Sequence, residues 1–503
     1  MRRREYDVIV VGGGGSGLAA AYSATENGGH VLVLEKLSQL GGTTGIAVGS
    51  FAAACSAHQR DAGVTDEVAS HLEDAGKFAP PEIESRNNDA LRSYFLSEAA
   101  ATLDWLQRLG VSFIGPNPEP PNRVPRMHNV VPGAKAYIAA LQMALQRAGS
   151  EILCNATVER LLLDDDRRVS GVQTKIDGAS REFYARHGVI LAAGDYANNH
   201  STIAAYKGRQ FKEIEGINPH ATGDGHVLAQ QVGADLINMD VTYGPELRFI
   251  ASAKKPFQQW LPVGGLFSRP MATIARRLPK WIMRSILKRL LVTWQHPENS
   301  LFDDGAILIN QHGQRFVNEK QWPDRELGVA SQPGKIAYIL LDGRLVKRYS
   351  KWPHFISTAP DIAYAYVADY QRLRPDVTVV KESLGQSASV RNLDEASLKR
   401  SIAEFNESVA NKKTDQFGRS GDENPLDEGP WALLGPLKAY FTTTEGGVAI
   451  NEQLQALDES GNIIPGLYAV GQNGLGGMIL WGHGLHIAWA MTSGRLAGEL
   501  VMR

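Results

Sequence analysis

The stretch "YDVIVVGGGGSGLAAAYSATENGGHVLVLEK", residues 6–36, constrains this chain more than any other. A short β-branched run, a glycine cluster, an alanine-rich helical stretch and a second β-branched run ending in an acid spell a βαβ unit. Gly12, Gly14 and Gly17 stand at G-x-G-x-x-G spacing. That spacing permits a tight turn, close approach of backbone to a pyrophosphate, and close packing of helix on strand. The helix opening near Ser16 turns its positive end toward phosphate. Glu35, at the end of the second strand, is placed to accept hydrogen bonds from both ribose hydroxyls of an adenosine. The unit therefore predicts a dinucleotide site.

The other end of the sequence carries a second glycine concentration, "GQNGLGGMILWGHGLHIAWAMTSG", residues 471–494. Glycines at this density bring main chain, not side chains, against a ligand. Between the two ends lie "KLSQLGGTTGIAVGSFAA" (36–53), "RHGVILAAGDYANN" (186–199) and "GNIIPGLYAVGQNG" (461–474). These read as a further glycine turn and two buried strands of the same sheet. One nucleotide is contacted from both halves of the chain.

These segments resemble the FAD-dependent flavoprotein family of fumarate reductases, succinate dehydrogenases and 3-ketosteroid dehydrogenases. The resemblance implies an α/β fold, a Rossmann-like FAD-binding domain with an inserted α+β capping domain that holds the substrate. It divides the chain at 1–239, 240–439 and 440–503. It implies cofactor contacts from Gly12, Gly14, Ser16, Gly17, Glu35, Lys36, Gly42, Thr43, Thr44, Val158, Ala193, Gly194, Gly471, Gln472, Leu485, His486 and Ile487. Some relatives attach flavin covalently through a histidine near the "GGTT" turn; that turn here carries Thr43, Thr44, Gly45 and Ile46, so noncovalent FAD is expected.

The chemistry implied is dehydrogenation or reduction of a C–C bond beside a carbonyl or carboxylate. Fumarate-type members clamp two carboxylates with histidines and arginines, as bidentate guanidinium suits. In this chain the histidine of the "H-T-x-G-G" approach falls on Thr443 and the arginine before "LGG" falls on Gly474. The histidine after the "TGDG" helix has no counterpart, and Arg325 sits two residues later than the family spacing after "FVNE". The carboxyl-terminal motif compares better with ketosteroid dehydrogenases: Gly484 and the "AMTSG" ending are kept, while the carbonyl-binding tyrosine falls on Leu480. His483 offers a replacement hydrogen bond, and Tyr243 is a candidate base.

Glu246, Asp195 and Tyr196 are further candidates, and Arg126 with His128 match a polar approach to the flavin. The expectation is a ketosteroid-dehydrogenase-like enzyme acting on a small apolar substrate of steroid-like kind, with a quinone or other electron acceptor. One alternative is a reductase of an unsaturated acid using Arg325 as proton donor. Another is a membrane-associated flavin electron-transfer subunit.

Composition sets the remaining bounds. With 43% hydrophobic and 21% charged residues and a formal net charge of −2, the chain has core material but no global field for nucleic acid. Cys55 and Cys154, its only cysteines, form no metal or redox motif, which suits a reducing compartment. The apolar run before the first glycines is too short for a signal peptide or a span. A cytoplasmic location is expected, with a peripheral one on the inner face of the membrane as the alternative. That last expectation rests on residues 247–297, which contain no Asp or Glu but many Lys and Arg. Within 269–294, "PKWIMRSILKRLLVTW" sets Lys280, Arg284 and Lys288 on one helical face and Ile282, Met283, Ile286, Leu287, Leu290 and Leu291 on the other. A cap helix packed on the protein would show the same pattern.

Overall fold

The computed structural model describes residues 4–252, 261–277, 279, 285, 288, 289, 291–293, 296–359 and 363–503. Strand β1 (Glu5–Val11), helix α1 (Gly15–Glu26) and strand β2 (Val31–Leu34) form the expected βαβ unit. The two strands pair in parallel, Val8 opposite Val31 and Val11 opposite Leu34. Every residue of β2 is buried, as expected for a strand covered on both faces.

This unit sits inside an eight-stranded sheet. Its main path runs Gln455–Leu457, Ile463–Ala469, Ala179–Leu191, β1, β2, Glu151–Leu153. Ile463–Ala469 pairs in parallel with Ala179–Leu191, which pairs in parallel with β1. The centre of the sheet is thus assembled from both ends of the chain. The last helix, Leu485–Leu500, lies along α1. Gly494 and Gly498 make that approach possible: a Cβ on them would come within 2.3 Å of Ser16 O and 2.2 Å of Ala20 O. Any larger residue at either position would push the helices apart.

A second sheet of six strands is organised around the long strand Trp431–Phe441. Ala337–Leu341, Glu246–Phe249 and Thr378–Lys381 pair antiparallel with it, and Ile307–Ile309 extends the sheet beyond Ala337–Leu341. Each sheet carries its own hydrophobic cluster. A small third cluster, Ala79, Val241 and Ile479 with Ile83 and Trp481 against it, joins segments from both regions.

Two short antiparallel pairings mark where the chain passes between the regions. Leu236–Ile237 pairs with Gly447–Val448, and Thr242–Tyr243 pairs with Thr443–Thr444. Outgoing and returning chain are therefore stitched together beside the functional residues.

The basic segment is engaged with the protein at its carboxyl-terminal end. Lys280, Ile282, Met283, Arg284, Ile286, Leu287 and Leu290 lie outside the described residues. Lys288, however, forms an ion pair with Asp369 at 2.9 Å and lies over the Tyr366 ring. Leu291 and Val292 are buried in the second core. These residues pack on the protein, as a cap helix would. No helix among the described residues is long and apolar enough to cross a membrane.

Candidate functional site

The glycine turn after β1 is built as its spacing requires. Gly12 has φ 112°, and a Cβ there would meet Ala192 O at 2.4 Å. A Cβ on Gly17 would stand 1.9 Å from Gly12 O, so helix and strand touch through bare backbone. Helix α1 has Gly14 as its N-cap, with no side-chain cap and no acid in its first turn. Its free N–H groups and dipole are left for an external anion. The second turn lies alongside: Gly41 N donates to Gly13 O at 2.9 Å, and Gly42 follows with φ 51°. Ser16 and Thr44 are buried between these turns, and the Thr43 hydroxyl accepts from Asn218.

Glu35 is 7% exposed and accepts from Gly13 N at 2.7 Å and Leu37 N at 2.8 Å. Its carboxylate is thereby fixed at the strand end. The Lys36 ammonium is taken up by His220 O, Thr222 and Asp224, so its side chain serves the 220–224 loop. Val158 is buried in the first core.

A third main-chain approach comes from the carboxyl-terminal segment. Gly471 has φ 59°; its N–H donates to Ser493 Oγ and its carbonyl accepts from Trp489. Gln472 Nε2 donates to Thr443 Oγ1 and Thr444 O, and Asn473 Oδ1 accepts from Ala193 N, next to Gly194. The opposite ends of these amides, Gln472 Oε1 and Asn473 Nδ2, are buried without a protein partner, as is Thr444 Oγ1. A buried unsatisfied polar atom costs about 1–3 kcal/mol. These atoms, together with the uncapped helix starts, fit a large polar cofactor threading from α1 to the 471–487 segment. Gly484, at φ 93°, opens the last helix, again without a side-chain cap or an acid in the first turn. Leu485 is buried beneath it and Ile487 is partly buried.

His486 bonds through Nε2 to Glu445 Oε1 at 2.7 Å, and Glu445 Oε2 accepts from Leu480 N at 3.0 Å. Tyr243 connects this end of the cradle to a second space. Its ring stacks on Trp481 at 5.2 Å and lies 6.2 Å from His486, nearly parallel to both. A cavity of about 310 Å³ opens there. Tyr243, Pro245, Leu247, Pro297, Trp322 and Trp481 supply apolar wall, while Glu246, His296, Arg325 and Glu326 supply titratable side chains.

Those groups are largely matched. Arg325 is buried and donates to Glu326 Oε1 through Nε and Nη2 and to Glu319 O through Nη1, with Phe302 beneath its guanidinium. Burial pushes the Glu326 carboxyl up, partly opposed by Arg325. Burial also pushes Glu246 up, but Arg248 and His296 outweigh it and hold Glu246 below its ordinary range. Burial keeps His296 below its ordinary value despite Glu246. The cavity therefore lacks the cationic excess that two substrate carboxylates require.

Burial and then the Glu246 charge push the Tyr243 phenol upward, with Glu119 and Glu445 adding to the effect. Held in its protonated form, the phenol presents an O–H at the cavity. Trp481, not His483, forms the cavity wall. His483 Nδ1 and backbone N both bond Glu119 Oε1, at 2.6 and 2.7 Å, and the side chain remains 57% exposed. Surrounding protein works against its charge, but the bond to Glu119 and the Glu119 and Glu246 charges prevail and raise its pKa. Asp195 is buried beside Thr443, 3.4 Å from its hydroxyl, and burial pushes its carboxyl up. The Tyr196 hydroxyl is committed to Met239 O.

Arg126 and His128 have internal duties. Arg126 is fully buried between Asp66 and Asp74, with ion pairs of 2.7 and 2.6 Å, and His128 bonds Ser56. Sequence reasoning missed Glu119, His296, Glu326 and Glu445. Glu445 carried a weak signal as the variable position of "TTEGG"; His296 was hidden in the basic segment read for its charge.

Comparison with known proteins agrees with this geometry. Residues 7–250 and 290–481 match the FAD binding domain family. A fumarate reductase (cytochrome) of Shewanella frigidimarina is 27% identical over 501 residues, covering 98% of this chain and 76% of that protein. The open conformation of a flavocytochrome c3 fumarate reductase superposes with a TM-score of 0.73 at 24% identity, over 99% of this chain and 78% of the other. A 3-ketosteroid delta1-dehydrogenase from Sterolibacterium denitrificans, in complex with 1,4-androstadiene-3,17-dione, gives 0.65 at 19% identity, over 99% of each chain. Both structures share the fold.

Proposed function

This chain belongs to the FAD binding domain family, and on that premise we propose that it reduces the C=C bond of an unsaturated carboxylic acid whose body is flat and apolar. Its cofactor is FAD and it is an oxidoreductase. The sequence-based preference for a ketosteroid gives way here, because the match to a fumarate reductase is one of sequence, at 27% identity over nearly the whole chain, whereas the ketosteroid dehydrogenase, at 19% identity, shares the fold alone. The observation that carries the reading is the cavity beside Tyr243, a largely apolar wall that includes Arg325, its guanidinium paired with Glu326.

Bound FAD, when reduced, supplies the hydride. Arg325, pre-oriented by Glu326 and Glu319, holds the single carboxylate. Tyr243 delivers the companion proton from a phenol at the junction of cavity and cradle. Trp481 and Trp322 exclude water and align the substrate body. Residues 240–439 act as the cap and the remainder as the FAD-binding unit. FAD is held noncovalently, a quinone or another carrier exchanges electrons with it, and the chain works in the cytoplasm.

A second reading, a conjugated ketone on an apolar cyclic substrate, draws on the proline, leucine and tryptophan wall. The test is anaerobic reoxidation of the dye-reduced enzyme by a panel of aryl- and alkyl-acrylates, dicarboxylates and cyclic enones. Rapid reoxidation by monocarboxylates supports the proposal. Reoxidation by enones alone moves the assignment to the second reading, and by dicarboxylates alone overturns both.

A further inference from the structure

The helix Gly265–Arg277 is amphipathic the wrong way round for a helix that merely packs on its own protein. Its buried face is small: Ser268 is fully buried and Ala272 nearly so, on the side facing strands Ser112–Asn117 and Met127–Val131. Its outward face is large and apolar. Phe267 is 53% exposed and Ile274 59% exposed, with exposed Pro270 and partly exposed Met271 between them. These four positions follow i, i+3, i+4, i+7 spacing and form one stripe. Scattered exposed apolar residues are ordinary, but a continuous stripe marks a surface that meets something.

The charge beside the stripe indicates what. Arg269 and Arg277 are exposed on the same helix, and residues 247–297 contain no acid. Lys135 Nζ, bonded to Leu261 O at 2.6 Å, adds a cation where the helix begins. A second copy of this chain would set one basic flank against another. A flat, apolar layer under an anionic rim satisfies stripe and flank together.

We propose that the outward face of Gly265–Arg277 docks this protein on the surface of an anionic membrane, with Phe267 and Ile274 entering the headgroup boundary and Arg269 and Arg277 meeting phosphate. The helix lies in the interface and does not cross it. The docking surface lies at the amino-terminal end of the basic segment, since Lys288 and Leu291 are engaged with the protein. The inference is independent of the substrate assigned above.

The test is flotation of the FAD-loaded full chain with phosphatidylcholine vesicles, with or without roughly 30% phosphatidylglycerol. The expected result is co-flotation with the anionic vesicles only. A Phe267→Glu/Ile274→Glu variant should lose it by about tenfold or more, and Arg269→Glu/Arg277→Glu severalfold. Flavin spectrum and melting temperature confirm that the variants are folded. Absence of flotation, or equal flotation of wild type and variants, overturns the proposal. So does a Phe267- and Ile274-dependent dimer forming without vesicles, which would assign the stripe to a second copy.

Discussion

The two regions line their openings with different materials. The first sheet presents bare backbone: Gly12, Gly17 and Gly471 sit where a side chain would collide with neighbouring atoms, and the long helices behind Gly14 and Gly484 start without caps. The cavity presents side chains from at least five separated segments, among them Tyr243, His296, Trp322, Arg325 and Trp481. A main-chain cradle tolerates almost no substitution at its glycines and holds a constant ligand. A side-chain wall can be rebuilt residue by residue, so relatives with the same cofactor can take different substrates.

Gly17→Val is expected to have the largest effect. Its side chain must displace Gly12 O, at a cost of about 4 kcal/mol or more, so purified protein should lack bound flavin absorbance and melt lower. A yellow, stable variant would break the contrast, because it would show that the cradle yields as readily as the wall.

Arg325→Ala should leave flavin content intact while lowering kcat/KM for an unsaturated acid by roughly 10³-fold, measured by dye-linked turnover. Loss of flavin instead would place Arg325 among the groups that support the cradle. Tyr243→Phe removes only a hydroxyl, and kcat should fall roughly 10²-fold with KM little changed. Unchanged kcat would hand proton delivery to Arg325.

The smallest expected effect is a pH shift. The His483 pKa is raised above its ordinary 6.5, so its positive charge is complete below that value and is lost as pH rises through the raised one. Affinity for an anionic substrate should weaken across that window. In Glu119→Gln the weakening should begin at lower pH, read as KM against pH with kcat as the control. The Glu119–His483 contribution to stability runs the same way: present at low pH and fading as the imidazole deprotonates.

The same difference in material explains what was legible. Residues 6–36 disclosed strand, turn, helix, strand and acid because each step needs a particular residue class at a fixed spacing. That both chain ends share one sheet was legible for the same reason. The cavity was only partly so: Tyr243 and Arg325 were named, but Glu119, His296 and Glu445 act through distance in space, with no period or motif to announce them. The upward push on the Tyr243 phenol comes first from burial and then from carboxylates at 246, 119 and 445, whose convergence only folding reveals. Arg126 misled because a buried structural arginine and a ligand-binding one look alike in sequence.

The pairing of Ile463–Ala469 with Ala179–Leu191 makes the first sheet depend on residues far along the chain. As the chain leaves the ribosome, the second sheet can close while the first still lacks a strand and its covering helix. Until Ile463–Ala469 is in place, the nucleotide site lacks one of its sides. Trimming that segment should release the cofactor even where the rest of the molecule survives.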